Sequence, residues 1–152
     1  MNNNLKKIFR KIESDIISHG ASIILTAIEV DSDMVNFAYT VGLDDQDLPE
    51  LMFFGLPQDS TIAIVNTAIK LIINDKLELD ENITKILNVP VVFKLVSPEA
   101  ASNYIYLANR RSQSPIAAWQ MFWPDQFGFF PWETEFDKQL AQLQPLLYEL
   151  DE

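Results

Sequence analysis

Cysteine is absent from the 152 residues of this sequence, which excludes disulfides, thiolate catalysis, and zinc or iron–sulfur sites built on cysteine. Glycine is scarce, with four residues, and neither a Gly-x-Gly-x-x-Gly motif nor a phosphate loop is present. Three arginines are too few for a clamp that holds phosphates or nucleic acid through many contacts. We therefore expect no cofactor, and the sequence favours a protein that is not an enzyme.

The single histidine cannot form the usual histidine-based metal cluster, so we expect no metal either. Asp44, Asp45 and Asp47 leave room for an all-carboxylate calcium or magnesium site, but they lack the EF-hand spacing and its glycine. A solvated acidic loop is the better interpretation. A Ser/His/Asp triad would need His19, which we place at the end of a helix, and no Gly-x-Ser-x-Gly elbow accompanies it.

Long apolar segments are also missing. The longest apolar runs hold only a few residues, far short of the roughly 20 that a membrane-spanning helix needs. The basic N-terminus is interrupted by Arg10, Lys11, Glu13 and Asp15, which is unlike a signal peptide. The sequence predicts no membrane association, and the lack of cysteine fits a reducing compartment. We therefore expect a cytoplasmic protein.

Apolar residues are plentiful even though they are not clustered. They make up 48% of the sequence and include 10 Phe, 4 Tyr and 3 Trp. This composition supports a packed core without disulfides or metals, and the length suits one domain over residues 1–152.

The charge is strongly one-sided, with 22 acidic residues against 11 basic ones and a net charge of −11. Residues 1–20 carry a net charge of +2, so the rest of the chain carries −13. Such a body repels nucleic acid and anionic membranes and attracts a basic protein surface. The alternative is that the acids only keep a hydrophobic protein in solution.

The N-terminal half predicts a helix followed by three strands. Leu5, Phe9, Ile12 and Ile16 belong to one apolar stripe at helical spacing, and the helix should end at His19-Gly20. Residues 22–30 are predicted to form a buried strand, and residues 35–43 alternate between large apolar and small or polar residues. The two strands should form an antiparallel hairpin. The second of them has a face of small residues, which lets a ligand or another backbone approach closely.

The remaining segments continue with shorter elements. They predict strands over residues 50–56, 91–96 and 116–123, and helices after Asp59, after Ser97 and around Phe136 to Leu143. Residues 77–89 are ambiguous, with a short helix expected after Asp80. The order predicts an α+β fold, with an antiparallel or mixed sheet of about five strands and a meander at its N-terminal side. Three or four helices should cover one face, although a partly closed barrel is also compatible.

Two segments concentrate Trp, Pro and Gly, and they supply the candidate site. Side chains alternate along a strand, so Thr40 points away from Tyr39, and Gln120 away from Trp123. If the two strands lie near each other in one sheet, Thr40 and Gln120 could share a face. A purely structural knot and an aromatic-lined ligand pocket are both compatible with this set. The candidate binding residues are Tyr39, Thr40, Glu50, Gln120, Trp123, Asp125 and Trp132.

The same segments carry a family resemblance. The motifs are Tyr-Thr-Val-Gly-Leu at 39–43, Pro-Glu-Leu at 49–51, Gly-Leu-Pro at 55–57, Gln-x-x-Trp-Pro-Asp at 120–125 and Pro-Trp-Glu at 131–133. Together with His19-Gly20, they resemble the DUF4262 family, a bacterial family of unknown function, from about residue 15 to about residue 133. The resemblance implies no activity.

Three functional hypotheses remain. The first is a non-enzymatic protein-binding module, of inhibitor or immunity type, that docks on a basic partner. The second is a small-molecule-binding or enzymatic domain with an aromatic-lined pocket between residues 39–42 and 123–132. A flavin-type split barrel is one version, although the scarcity of Arg and Gly counts against a phosphate-bearing cofactor. The third is a mimic of nucleic acid, with carboxylates in place of phosphates.

Overall fold

The computed structural model describes residues 2–76, 79, 83–84 and 86–148. Its helices and strands are α1 Asn3–His19, β1 Ser22–Val30, β2 Asp33–Val41, β3 Glu50–Phe54, α2 Gln58–Ile73, β4 Val92–Val96, α3 Pro98–Ala101, α4 Tyr106–Ser112 and β5 Ala118–Phe122. Two 3₁₀ helices cover Leu43–Gln46 and Lys138–Leu143. The helix expected after Asp80 falls largely on residues outside the described ranges.

The first helix has the ends that its sequence predicts. The Asn2 side chain accepts a hydrogen bond from the Leu5 N–H and caps the N-terminus. Gly20 follows the last turn in the left-handed conformation, with φ of 88°, and its N–H donates to the Ile16 carbonyl. Ile12 is fully buried and Phe9 is half-buried. The amphipathic stripe therefore faces the sheet as expected.

The five strands form one mixed sheet in the order β1-β2-β3-β5-β4. The first three strands are an antiparallel meander, β3 pairs with β5 in parallel, and β4 is antiparallel to β5. The prediction of an α+β fold with a five-stranded sheet and an N-terminal meander is confirmed. The sheet does not close into a barrel, because β1 and β4 are its two ends.

Helices cover both faces of this sheet, whereas the sequence predicted cover on one face. Residues Val65, Ala68 and Ile69 of α2 pack on Phe53 and its neighbours, on what we call the α2 face. The opposite face, which we call the α1 face, packs against α1, α3 and α4 through Ile12, Ala101 and Ala108 among others. The central strands are apolar on both alternating sets of side chains, so both faces must be buried.

The first strand is less buried than predicted. Its apolar composition indicated a buried strand, but Leu25, Thr26 and Ala27 at its centre are exposed. The reason is its position, because an edge strand has a neighbour on one side only. Within the part of the chain that the structure describes, β2 is the only strand that pairs with β1.

The C-terminal part is not the α-helix that the spacing of Phe136, Leu140 and Leu143 predicted. Turns lead from Pro131 to a single 3₁₀ helix, Lys138–Leu143, which begins after the cap formed by the Asp137 side chain and the Gln139 N–H. Phe136 is nevertheless buried.

Candidate functional site

Glu50 lies at the start of β3 and is only 1% exposed. Its Oε1 accepts hydrogen bonds from the Thr40 hydroxyl at 2.7 Å and from the Leu43 N–H at 3.2 Å. Its Oε2 accepts from the Gly42 N–H at 3.0 Å and from the Asp44 N–H at 3.2 Å. The carboxylate is therefore engaged on both oxygens, and it ties the loop that follows β2 to the beginning of β3.

Opposing effects act on this carboxylate. Burial raises the pKa of Glu50, and the hydrogen bonds from Thr40, Asp44, Gly42 and Leu43 lower it, with a net value above the ordinary 4.5. The loop geometry depends on Gly42, whose φ is 117°. A Cβ at that position would lie 2.6 Å from Ile16 Cγ1, so a larger residue would strain the loop and displace α1.

Thr40 and Gln120 do not share a face of the sheet, so that expectation is wrong. In the register, Ala38 pairs with Phe53 and Met52 pairs with Gln120. Alternation therefore places Thr40 on the α2 face with Ala38, and Gln120 on the α1 face with Met52. The sequence could not reveal this, because the register of β3 and β5 joins residues about 70 positions apart.

Gln120 and Trp123 both bind the C-terminal segment. The Gln120 side chain is fully buried and its Nε2 donates to the Pro145 carbonyl at 2.6 Å, whereas its Oε1 has no partner among the described residues. Gln144 forms two hydrogen bonds of 2.9 Å with the main chain of Trp123. The indole N–H of Trp123 donates to the Phe54 carbonyl at 2.8 Å. These contacts attach residues 144–145 to the end of β5, and Trp123 to β3.

Asp125 organises the loop after β5. Its Oδ1 accepts from the Phe127 and Phe129 N–H groups at 2.9 and 3.0 Å, and its Oδ2 accepts from the Asp137 N–H at 3.0 Å. Burial raises the pKa of Asp125, but these backbone donors and that of Gly128 lower it more, so the net value lies below the ordinary 3.8. The carboxylate therefore holds the loop together.

Trp132 belongs to an aromatic cluster with Phe122, Phe130 and Tyr148. Its ring stacks on Phe130 at 5.0 Å between centroids and meets Phe122 edge-on at 5.3 Å. The Lys94 Nζ lies 4.6 Å from the centroid of Trp132 and 4.8 Å from that of Tyr148, which is cation–π geometry.

Tyr39, the remaining predicted site residue, lies apart from this cluster. It is 3% exposed and its hydroxyl accepts from the Leu107 N–H at 3.1 Å, which joins β2 to α4.

The seven predicted residues thus belong to several local groups with contacts of their own. Thr40 and Glu50 form one group, and Gln120 and Trp123 form another around residues 144–145. Asp125, Trp132 and Tyr39 each have separate partners. Thr40, Glu50 and Asp125 hold local loops together, whereas Tyr39, Gln120 and Trp123 connect segments that are distant in the chain, as expected of residues that stabilise the fold.

A cavity of about 370 Å³ lies on the α2 face, above the small-residue side of β2 that the sequence singled out. None of the seven predicted residues lines it. Its walls are the centre of β1, residues 36–38 of β2, and Phe53 and Leu56; Gln58 and Thr61 at the start of α2 close it. Sequence reasoning identified the small face of β2 but not the exposed edge beside it.

Three further side chains escaped the sequence analysis. Arg111 binds Glu13 at 2.6 Å and Asp45 at 2.8 Å, although its sequence position indicated only the end of a helix. Arginine is rare in this acidic chain, and that rarity could have marked Arg111 as a residue with a structural role. No such signal pointed to Lys94 or to Gln144.

Among the described residues, neither a metal cluster nor a membrane-spanning helix is present. No group of three or more His, Asp or Glu side chains is placed to hold a metal ion in this part of the chain. None of the helices there is long and apolar enough to cross a membrane.

Comparison with known proteins identifies the family alone. The family model described as domain of unknown function (DUF4262) matches residues 15–137. A search of curated proteins and a search of solved structures each gave no match. The match spans most of the chain and includes every motif that suggested the resemblance. The chain therefore belongs to the DUF4262 family.

Proposed function

We propose that this domain is a non-enzymatic protein-binding module, of inhibitor or immunity type, that binds an extended segment of a basic partner protein along the edge of β1. A cytoplasmic location fits a chain without cysteine. The observation that carries the proposal is the nine-residue strand Ser22–Val30, whose outer edge is unpaired in the described part of the chain and whose centre is exposed.

Edge strands expose a row of main-chain N–H and C=O groups, and proteins usually protect them with lysine, proline, a bulge or a covering segment. β1 contains no lysine and no proline, and nine consecutive residues pair with β2 without a bulge. The Leu25 side chain is 49% exposed. This regular, apolar edge is suited to strand addition, in which main-chain hydrogen bonds supply affinity.

The charge around β1 favours a basic segment at one end. Glu29, Asp31 and Asp33 are exposed where β1 turns into β2, and they outnumber Lys138, which shares a groove with Asp31. The opposite end is a groove between α1 and α2, where Lys11 and Lys70 lie beside Ile23 and Asp15 is the acidic residue. A segment laid along β1 would therefore place its basic residues at the hairpin end, and the net charge of −11 would attract the partner that carries it.

The alternative, a ligand pocket between residues 39–42 and 123–132, has less support. Thr40, Glu50 and Asp125 are engaged with each other or with the main chain, which leaves few polar groups for a ligand. A yellow purified protein would revive the flavin version of this alternative.

The proposal is tested with peptides. A random peptide library displayed on phage is selected against the domain, and the strongest peptide is synthesised for fluorescence polarisation. We expect a basic peptide whose affinity falls about tenfold or more, about 1.4 kcal/mol, in Thr26→Lys, because the new charge repels it and obstructs the edge. Leu95→Lys, which adds the same charge to the opposite edge strand, should bind normally.

Two measurements identify strand addition itself. Methylation of alternate main-chain nitrogens in the peptide should abolish binding, since it removes the donors that pair with β1. Hydrogen exchange should slow at the outward-facing amides within Ser22–Val30 when the peptide is present. If no peptide is selected, or if the methylated peptide binds equally well, the proposal is wrong.

A further inference from the structure

We infer that the cavity beside β1 receives one aromatic side chain of the bound segment, and that a basic residue two positions away in that segment lies at Glu29. This inference rests on the proposed function and names the chemistry of the partner. It combines the cavity of about 370 Å³, the exposed centre of β1 and the acidic end of the hairpin.

The position of the cavity relative to the edge supports this inference. A strand added to β1 would lie about 4.8 Å from it, with side chains that alternate between the two faces. Leu25 and Ala27 point to the α2 face, because they pair with Ala38 and Asn36 of β2, and both line the cavity. A side chain of the added strand beside Ala27 would thus lie at the mouth of the cavity.

The residues that line the cavity determine which type of side chain from the bound segment can fill it. Ala38, Phe53 and Leu56 make its inner part apolar, and both Ala27 and Ala38 are too small to fill it. The polar groups are the amides of Asn36 and Gln58 and the hydroxyls of Thr26 and Thr61, and no charged residue lines the cavity. The volume is at the lower end of the range for ligand pockets, enough for one large ring. A phenol or an indole matches this apolar interior with neutral polar groups.

The spacing of the two features follows from strand geometry. Glu29 lies two residues after Ala27, so its side chain is on the same α2 face. In a strand paired with β1, the residues opposite Ala27 and Glu29 are also two positions apart. The selected peptides should therefore share an aromatic residue and a Lys or Arg two positions from it, a pattern that main-chain pairing alone would not impose.

The test uses the selected peptide and two variants of the full chain with the same added ring. Ala27→Phe places the ring at the mouth of the cavity, whereas Ile28→Phe places it on the opposite face of the same strand, outside the cavity lining. We expect Ala27→Phe to weaken the peptide about tenfold or more and Ile28→Phe to leave its affinity within about twofold. Replacing the aromatic residue of the peptide with Ala should cause a similar loss of affinity for the wild-type protein. The same altered peptide should bind Ala27→Phe with little further loss of affinity.

The outcomes separate this inference from the proposed function. If the peptide protects the β1 amides but Ala27→Phe and Ile28→Phe behave alike, the cavity is not the anchor site and strand addition still stands. If no peptide pairs with β1, both fail. If free indole binds the wild type as tightly as the peptide does, the cavity is a small-molecule site and the inference is overturned.

Discussion

A carboxylate buried as deeply as that of Glu50 has to be stabilised by donors, since an ionised group out of water is costly. Three of its four donors are main-chain N–H groups of consecutive residues, Gly42 to Asp44. The fourth is the Thr40 hydroxyl, which also accepts from the Leu51 N–H at 2.9 Å. The Glu50 side chain thus connects β2, β3 and the loop between them, and we expect its replacement to destabilise all three.

Glu50→Gln tests the role of this residue. The carboxamide is close to the carboxylate in size, but its NH₂ group faces N–H donors that previously had an acceptor. We expect the variant to fold and to lose about 1–3 kcal/mol of unfolding free energy at neutral pH, measured by urea denaturation. Equal stability of variant and wild type would show that the four hydrogen bonds contribute nothing net.

The pH dependence of the unfolding free energy, compared between the wild type and Glu50→Gln, supplies a second check. Because burial raises the folded pKa of Glu50 above its ordinary 4.5, the folded state holds the proton more tightly than the unfolded state does. The advantage of the wild type over Glu50→Gln should therefore be largest below pH 4.5 and should shrink as pH rises through the folded pKa. An advantage that grows with pH over this window would contradict the raised pKa.

At the scale of elements, Arg111 joins three parts of the chain. Its guanidinium binds Glu13 of α1 and Asp45 of the first 3₁₀ helix, and it lies in the last turn of α4. The hydrogen bond to Arg111 lowers the pKa of Asp45, although burial opposes this effect. The two acids are about half exposed, so solvent screens both pairs.

Arg111→Gln should destabilise the protein by about 1 kcal/mol at low salt, and by less at high salt. Since the folded pKa of Asp45 is lowered, the contribution of this pair is present above the ordinary value of 3.8 and is lost as pH falls through the folded pKa. Thermal unfolding over a pH and salt series measures both effects. Arg110→Gln is the matched control, because Arg110 only contacts the Tyr106 hydroxyl at 3.3 Å among the described residues.

At the scale of the whole molecule, the dominant electrostatic feature is the net charge of −11. It favours basic proteins and opposes polyanions, and the basic residues of the N-terminal helix do not reverse this balance. We expect no binding of a labelled DNA or RNA oligonucleotide at low salt, where such binding would be strongest. Micromolar association that weakens with added salt would contradict this expectation and would point to the basic side of α1.

The sequence by itself determined the features that depend on neighbours in the chain. The periodicity from Leu5 to Ile16, the cap at Gly20 and the alternation along β2 each involve residues only a few positions apart, and the structure agrees with them. The family motifs are local in the same sense. The meander also followed, because consecutive strands with short connections pair with each other.

The tertiary structure alone decided the features that depend on pairing between distant segments. It made β1 an edge, although its apolar run is equally compatible with a central strand. It placed Thr40 and Gln120 on opposite faces, since a shift of one residue in register exchanges the faces of a strand. It also brought Gln144 to Trp123 and Lys94 to Trp132, contacts that no periodicity encodes. Local sequence patterns determine which side chains share a face of one helix or strand. Only tertiary packing determines which other elements that face contacts.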